Sequence, residues 1–228
     1  MNTAGKLSDS DHPSIQAVAD QITAGKATVL EKVESAFVFV RDKVRFGFPP
    51  KWDDVKASET IRYGLGYCST KATLFRALCR VLNVPARIHT ALIDIKIMKG
   101  IFPSMAFPFV PRVGDHSWLE IEIDGKWKPI DSYINDKPFY QNALKRLETS
   151  GNLTGYSISR AKGSSSCEFN FGETGFVHMG AVVEDHGVWD DYSEYMSSGQ
   201  YAGMNRMLLM AYPMIARICN RRVAYIRG

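Results

Sequence analysis

Residues 116–131 read His-Ser-Trp-Leu-Glu-Ile-Glu-Ile-Asp-Gly-Lys-Trp-Lys-Pro-Ile-Asp. His116 to Ile123 alternates polar and apolar residues, Asp124-Gly125 is a two-residue turn of the favoured type, and Lys126 to Tyr133 returns as a strand. With Asp124 and Gly125 as the loop, Ile123 faces Lys126 and Trp118 faces Asp131. His116 lies two residues from Trp118 and shares its sheet face, because strand side chains alternate. It is therefore the diagonal neighbour of Asp131, roughly 7–8 Å away at Cα, a gap that a hydrogen bond between the two side chains can close. A one-residue slip would place them on opposite faces.

Working outward, Gly64-Leu65-Gly66-Tyr67-Cys68 is a glycine-marked turn that opens an apolar helix. Ala72, Phe75, Ala77, Leu78, Val81 and Leu82 keep a helical period until Asn83 and Pro85. A thiol at a helix N-terminus meets free N–H groups and a dipole that favour thiolate. Arg87 to Ile93 reads as a strand, and residues 97–113, rich in Pro, Phe and Met, read as irregular. Upstream, Pro13 suits a first helical position, and Thr28 with Glu31 makes a capping box. The helix it starts places Val29, Leu30, Val33, Phe37, Val40 and Val44 on one face, and Gly47-Phe48-Pro49-Pro50 stops it. Ala57 to Tyr63 is a short helix. Downstream, helices are expected near Tyr140 to Leu147 and Gly203 to Cys219, with a loop at Gly163 to Ser166.

The chain has 228 residues, 45% hydrophobic and 23% charged, with a formal charge of +4. This suits one domain with a substantial core, and the charge is too weak to argue for nucleic acid. Cys68, Cys79, Cys167 and Cys219 show no CxxC spacing, which argues against a zinc knuckle or a disulfide scaffold. Met1 to Asp11 lacks the pattern of a signal peptide, and no stretch approaches a membrane span. The expectation is a cytoplasmic protein with free thiols, no membrane partner and no cofactor. His178 and His186, with Glu184 and Asp185, fit no firm ligand spacing, so no metal is expected. His89 reads as a structural strand residue. Asp190, Asp191 and Glu194 read as a solvated acidic turn, and Arg217, Arg221, Arg222 and Arg227 as a solvated helix end.

Two stretches resemble the transglutaminase-like superfamily. Residues 57–87, ASETIRYGLGYCSTKATLFRALCRVLNVPAR, are similar to its nucleophile segment, with Gly-x-Cys opening a helix and a Val-Pro-Ala-Arg exit. Residues 116–131 carry His-x-Trp and Trp-x-x-x-Asp. The resemblance covers about Val29 to Asp136, near half the chain. Ser69-Thr70 stands where many relatives have Trp or an acidic residue, and the C-terminal third matches no motif. The resemblance implies an α+β, papain-like transglutaminase core: N-terminal helices and a nucleophile-bearing helix packed on an antiparallel β-sheet. It implies one domain over 1–228, with the catalytic core at 28–136 and residues 137–228 completing the fold.

The implied activity is that of a cysteine hydrolase or acyltransferase, proteases included, with Cys68, His116 and Asp131 as a catalytic triad acting through a thioester. The backbone N–H of Cys68 is the first oxyanion donor, and Trp52 and Tyr67 are candidates for a second contribution. The substrate is a peptide or a small molecule. The greasy insert before Asp115, with Phe102, Met105, Phe107 and Phe109, has two readings: a lid over a hydrophobic or aromatic substrate, or packing at the core edge. The second is favoured, because loop aromatics usually pack. Two rival functions remain: lyase, isomerase or biosynthetic acyl-transfer chemistry on a small molecule, and a non-catalytic binding module. Oligomeric state is left open.

Overall fold

The hairpin forms one side of a four-stranded antiparallel sheet, its second strand at the edge. The computed structural model describes residues 7–170 and 176–228; the reading of Met1 to Asp11 falls partly on residues 1–6, outside that range. In chain order the elements are α1 (Pro13–Thr23), α2 (Val29–Val38), β1 (Arg45–Phe46), α3 (Ala57–Tyr63), β2 (Leu65–Gly66) and α4 (Cys68–Val81). Then follow β3 (Ala86–Asp94), β4 (Val113–Ile123), β5 (Lys126–Ile130), α5 (Lys137–Thr149), β6 (Thr154–Gly155) and β7 (Ile158–Ser159). The chain finishes with β8 (Val182–Trp189), α6 (Tyr192–Met196) and α7 (Arg206–Arg227). The main sheet runs β5-β4-β3-β8, and β1-β2 and β6-β7 are separate two-stranded pairs. This is an α+β arrangement of N-terminal helices and a Cys68-bearing helix packed on an antiparallel sheet, as expected.

The hairpin register is the one derived from its turn: Ile123 pairs with Lys126 and Leu119 with Ile130. Asp124 and Gly125 take the positive φ values, 52° and 71°, that such a turn requires. Leu119, Ile121, Ile130 and, from β3, Ile88 enter the core, where α4 contributes Leu74, Phe75 and Leu78. Alternation then sets His116, Trp118 and Glu120 together on the other face. β5 stops at Ile130 rather than Tyr133, because the Ile134 N–H donates to the Asp131 carbonyl at 3.0 Å and turns the chain.

Thr28 and Glu31 form the expected capping box. Val33, Phe37, Val40 and Val44 are buried, whereas Val29 and Leu30, in the first turn, are 54% and 48% exposed. The late helix begins at Arg206 and runs to Arg227, well beyond Cys219. Its buried stripe is Tyr212, Ala216, Cys219, Val223 and Ile226, while Met207 and Met210 are exposed. Arg227 is no solvated end: it donates twice to Asp136, at 2.9 and 2.8 Å, and to the Phe46 carbonyl. Between β3 and β4 lie two 3-10 turns, Ile95–Met98 and Ser104–Phe109. The insert divides. Phe102 packs on Phe48 and Phe107, while Met105 and Phe109 stand exposed.

β8 has no counterpart in the sequence reading. It pairs with β3 along an outer edge, interrupted by register shifts, so its hydrophobic alternation is broken. Asp191 is no solvated residue: it is buried, accepts the N–H groups of Leu7 and Ser8 at 3.3 and 3.0 Å, and caps α6. Leu119 is fully buried at the centre of the sheet. Leu119→Ala should lower unfolding free energy by about 2–5 kcal/mol in urea melts, the cost of a core cavity; a loss below about 1 kcal/mol would contradict the placement.

Candidate active site

Two glycines shape the approach to Cys68. Gly64 ends α3 with φ 62°, left-handed, and a Cβ on Gly66 would sit 2.6 Å from Thr70 Oγ1. The chain can therefore turn tightly into α4 only with glycine at these places. Thr70 Oγ1 accepts the Tyr67 N–H at 3.0 Å, and Ser69 Oγ donates to Asp53 at 2.6 Å. These contacts give Ser69-Thr70 a role that the sequence does not disclose.

Asp53 organises the surroundings of the thiol. It is buried and accepts four hydroxyls: Ser69, Tyr67 at 2.9 Å, Tyr201 at 2.8 Å and, more distantly, Tyr192 at 3.4 Å. Burial nevertheless raises its pKa, with the hydroxyls partly offsetting. Tyr67 and Ser69 flank Cys68, so one carboxylate holds both sides of the thiol. Trp52 stacks on Tyr67 at 5.3 Å and donates to Tyr201 Oη at 3.2 Å. The side-chain donors of Trp52 and Tyr67 are thus engaged elsewhere.

Cys68 is partly exposed, and the other three thiols are buried. Enclosure pushes its pKa from 9.0 up to about 12, the Asp53 charge adds to this, and the N–H groups of Ser117 and Ser69 offset only part. The expectation of a lowered pKa is not met. A helix-end field is worth about 0.3–1 kcal/mol, less than one pKa unit, and cannot outweigh desolvation together with a nearby carboxylate. The thiol is neutral at pH 7 in this conformation. Its approach to Ser117 brings the start of α4 against β4 one residue from His116.

His116 and Asp131 are both buried, and they do come together. A nitrogen of His116, an oxygen of Asp131 and a nitrogen of His178 lie within 4.8 Å of one another. The expected hydrogen bond between the His116 and Asp131 side chains is not formed, and His116 Nε2 is buried without a partner. Asp131 instead accepts the backbone N–H groups of Val177 at 2.8 Å, His178 at 2.7 Å and Met179 at 3.2 Å. His178 rather than His186 joins this site. His186 pairs with Tyr195 and Glu184. His116, Asp131 and His178 form a donor set that could hold a metal ion, though a cation would compete with three N–H bonds for the carboxylate. On the same face His89 stacks on Trp118 at 4.2 Å and is held by Glu120 and Asp185, a structural role as expected. Nearby, Lys71 is fully buried and donates to the carbonyls of Ile134 and Arg41, fixing the turn that follows Asp131.

With this geometry established, a sequence model of the transglutaminase-like superfamily matches residues 16–132. The chain belongs to the transglutaminase-like superfamily. Two solved structures are similar in part. A candidate cysteine protease from Cytophaga hutchinsonii shares 24% identity over 55% of this chain and 38% of its own, with a TM-score of 0.43. A candidate protease from Parabacteroides distasonis shares 14% identity over 55% of this chain and 24% of its own, with a TM-score of 0.38. The chain therefore spans well under half the length of either. No curated protein matches it. Among the described residues, no helix is long and apolar enough to cross a membrane.

Two predictions follow from these environments. Burial holds His178 down at about 3, and burial, then the neighbouring His178, hold His116 well below 6.5. Below pH 6.5 the unfolded chain binds protons at both histidines that the folded chain refuses, so folding weakens on acidification. Asp131, raised from 3.8 to about 6 by burial, works the opposite way across that narrower window, one group against two. The melting temperature should fall steadily from pH 7 to pH 4, and less steeply in His178→Gln; an equal slope in the two proteins would contradict this. Asp53→Asn removes a charge that opposes the Cys68 thiolate and disturbs four hydroxyl bonds. It should cost about 1–3 kcal/mol of stability while speeding iodoacetamide labelling of Cys68. Slower labelling in a folded variant would contradict the charge effect.

Proposed function

We propose that the protein is a cysteine-dependent acyl-transfer enzyme, hydrolysing an amide or related bond through Cys68, His116 and Asp131. The observation that supports this is the convergence of the α4 N-terminus on β4 beside His116, with Asp131 packed against the imidazole. Because the thiol is neutral, attack couples to proton transfer: His116 takes the Sγ proton as sulfur bonds to the carbonyl carbon. Collapse of the tetrahedral adduct expels the amine, which receives that proton from His116, leaving a thioester on Cys68. Water then attacks the thioester, His116 taking its proton and returning it to the departing sulfur. The Cys68 N–H, first in its helix and without an intrahelical partner, is placed to bind the oxyanion. Residues 1–228 form one unit in this reading, the C-terminal third completing the surroundings of Cys68 through Tyr192 and Tyr201.

A small-molecule substrate is the second reading. It is favoured by the tyrosines gathered on Asp53 beside the thiol, Tyr67, Tyr192 and Tyr201.

Iodoacetamide mapping tests the nucleophile. Cys68 should be alkylated well before Cys79, Cys167 and Cys219, with a rate still climbing above pH 9 because the thiol is neutral. Cys68→Ala should abolish turnover of any substrate found. Equal labelling of all four thiols in the native protein would sink the proposal.

A further inference from the structure

The resemblance assigns nothing to His178, and the reaction above does not use it. We infer that His178 is a positioning residue for His116, with its tautomer locked by Ser157 and Asn135. The catalytic consequence rests on the function proposed above; the hydrogen-bond chain does not.

The lock can be read one partner at a time. Asn135 Nδ2 donates to the Ser157 carbonyl at 2.6 Å, which fixes which end of the amide is which. Asn135 Oδ1 must then be the acceptor for Ser157 Oγ at 3.1 Å, so the serine proton points to Asn135. The remaining face of Ser157 Oγ is a lone pair, and it meets His178 Nε2 at 2.6 Å. His178 Nε2 therefore carries the hydrogen, and Nδ1 is a bare acceptor. All three side chains are buried, so water does not compete with this order.

Backbone geometry supports a purpose. Tyr156 and Ser157 are consecutive non-glycine residues at φ 53° and 59°, in the left-handed region that such residues rarely take. The turn is pinned by N–H bonds from Tyr156 to the Lys99 carbonyl and from Ser157 to the Ile97 carbonyl, at 2.7 and 2.8 Å. Its result is a serine hydroxyl directed at an imidazole.

His178 also meets the proposed catalytic pair twice. Its backbone N–H donates to Asp131, and its ring stands edge-on to His116, centroids 5.0 Å apart at 83°. His178 Nδ1 and His116 Nε2 are both buried and both without partners. A nitrogen of each ring and an Asp131 oxygen lie within 4.8 Å of one another, and in this inference the buried, unpartnered Nε2 is the His116 atom that carries hydrogen. That leaves His116 Nδ1 as the basic atom available to a thiol. Asp131 alone is a weak orienter here, since three backbone N–H groups already occupy its oxygens.

The test is long-range proton–nitrogen NMR on the full chain with 15N-labelled histidine, the His116 and His178 signals assigned from His→Gln variants. The expected wild-type spectrum shows both rings as Nε2–H tautomers. Ser157→Ala should shift His178 toward a mixed tautomer, move His116 with it, and slow iodoacetamide labelling of Cys68 several-fold. An Nδ1–H tautomer of His178 in the wild type would overturn the inference without any variant. So would a His116 signal unmoved in Ser157→Ala despite a changed His178. The expected tautomers with an unreactive Cys68 would uphold the lock and count against the proposed function instead.

Discussion

Asp131 accepting three consecutive backbone N–H groups, from Val177 to Met179, is the contact on which the site depends. A buried carboxylate is tolerable only when its lone pairs are occupied, and a loop is tolerable inside a protein only when its amides are. Each requirement meets the other here. The bond set fastens the segment leading into β8 onto the end of the β4–β5 hairpin, and thereby delivers His178 to His116. It also means that the carboxylate of the proposed triad is structural before it is chemical. Most of its accepting capacity serves the backbone, and little remains for the imidazole.

Asp53 makes the corresponding arrangement around the thiol. Four hydroxyls converge on it, two from residues beside Cys68 and two from the C-terminal third. The thiol is held from both sides, but in a negative and enclosed setting that keeps it protonated. Chemistry at such a thiol depends on a base acting during attack rather than on a standing thiolate. The neutral state of buried His116 suits that task, because a neutral imidazole can accept a proton.

How much of this is legible in sequence follows from distance along the chain. The hairpin register needs only the turn type and alternation, and α3 and α4 need only periodicity and flanking glycines; these local signals are reproduced. The proximity of His116 and Asp131 also follows, because one turn links them. The partners of Asp131 lie 46 to 48 residues away and those of Asp191 at Leu7 and Ser8 more than 180 away, and no local pattern announces them. Asp53 sits in a stretch without period, and His178 beside a broken edge strand. The sign of the Cys68 shift is illegible in sequence for the same reason: the helix terminus is visible there, whereas the enclosure and the Asp53 charge come from the fold. Family membership carries the core motifs and is silent on the C-terminal third that surrounds them.

The central claim is that Cys68 forms an acyl intermediate with His116 as its base. Intact-mass spectrometry during reaction with an activated acetyl ester addresses it directly. The account predicts a transient single acetyl adduct, mapped to Cys68, that forms and decays with the wild type and is lost in His116→Gln. An adduct spread over other residues, or one formed on Cys68 at the same rate in His116→Gln, would contradict it.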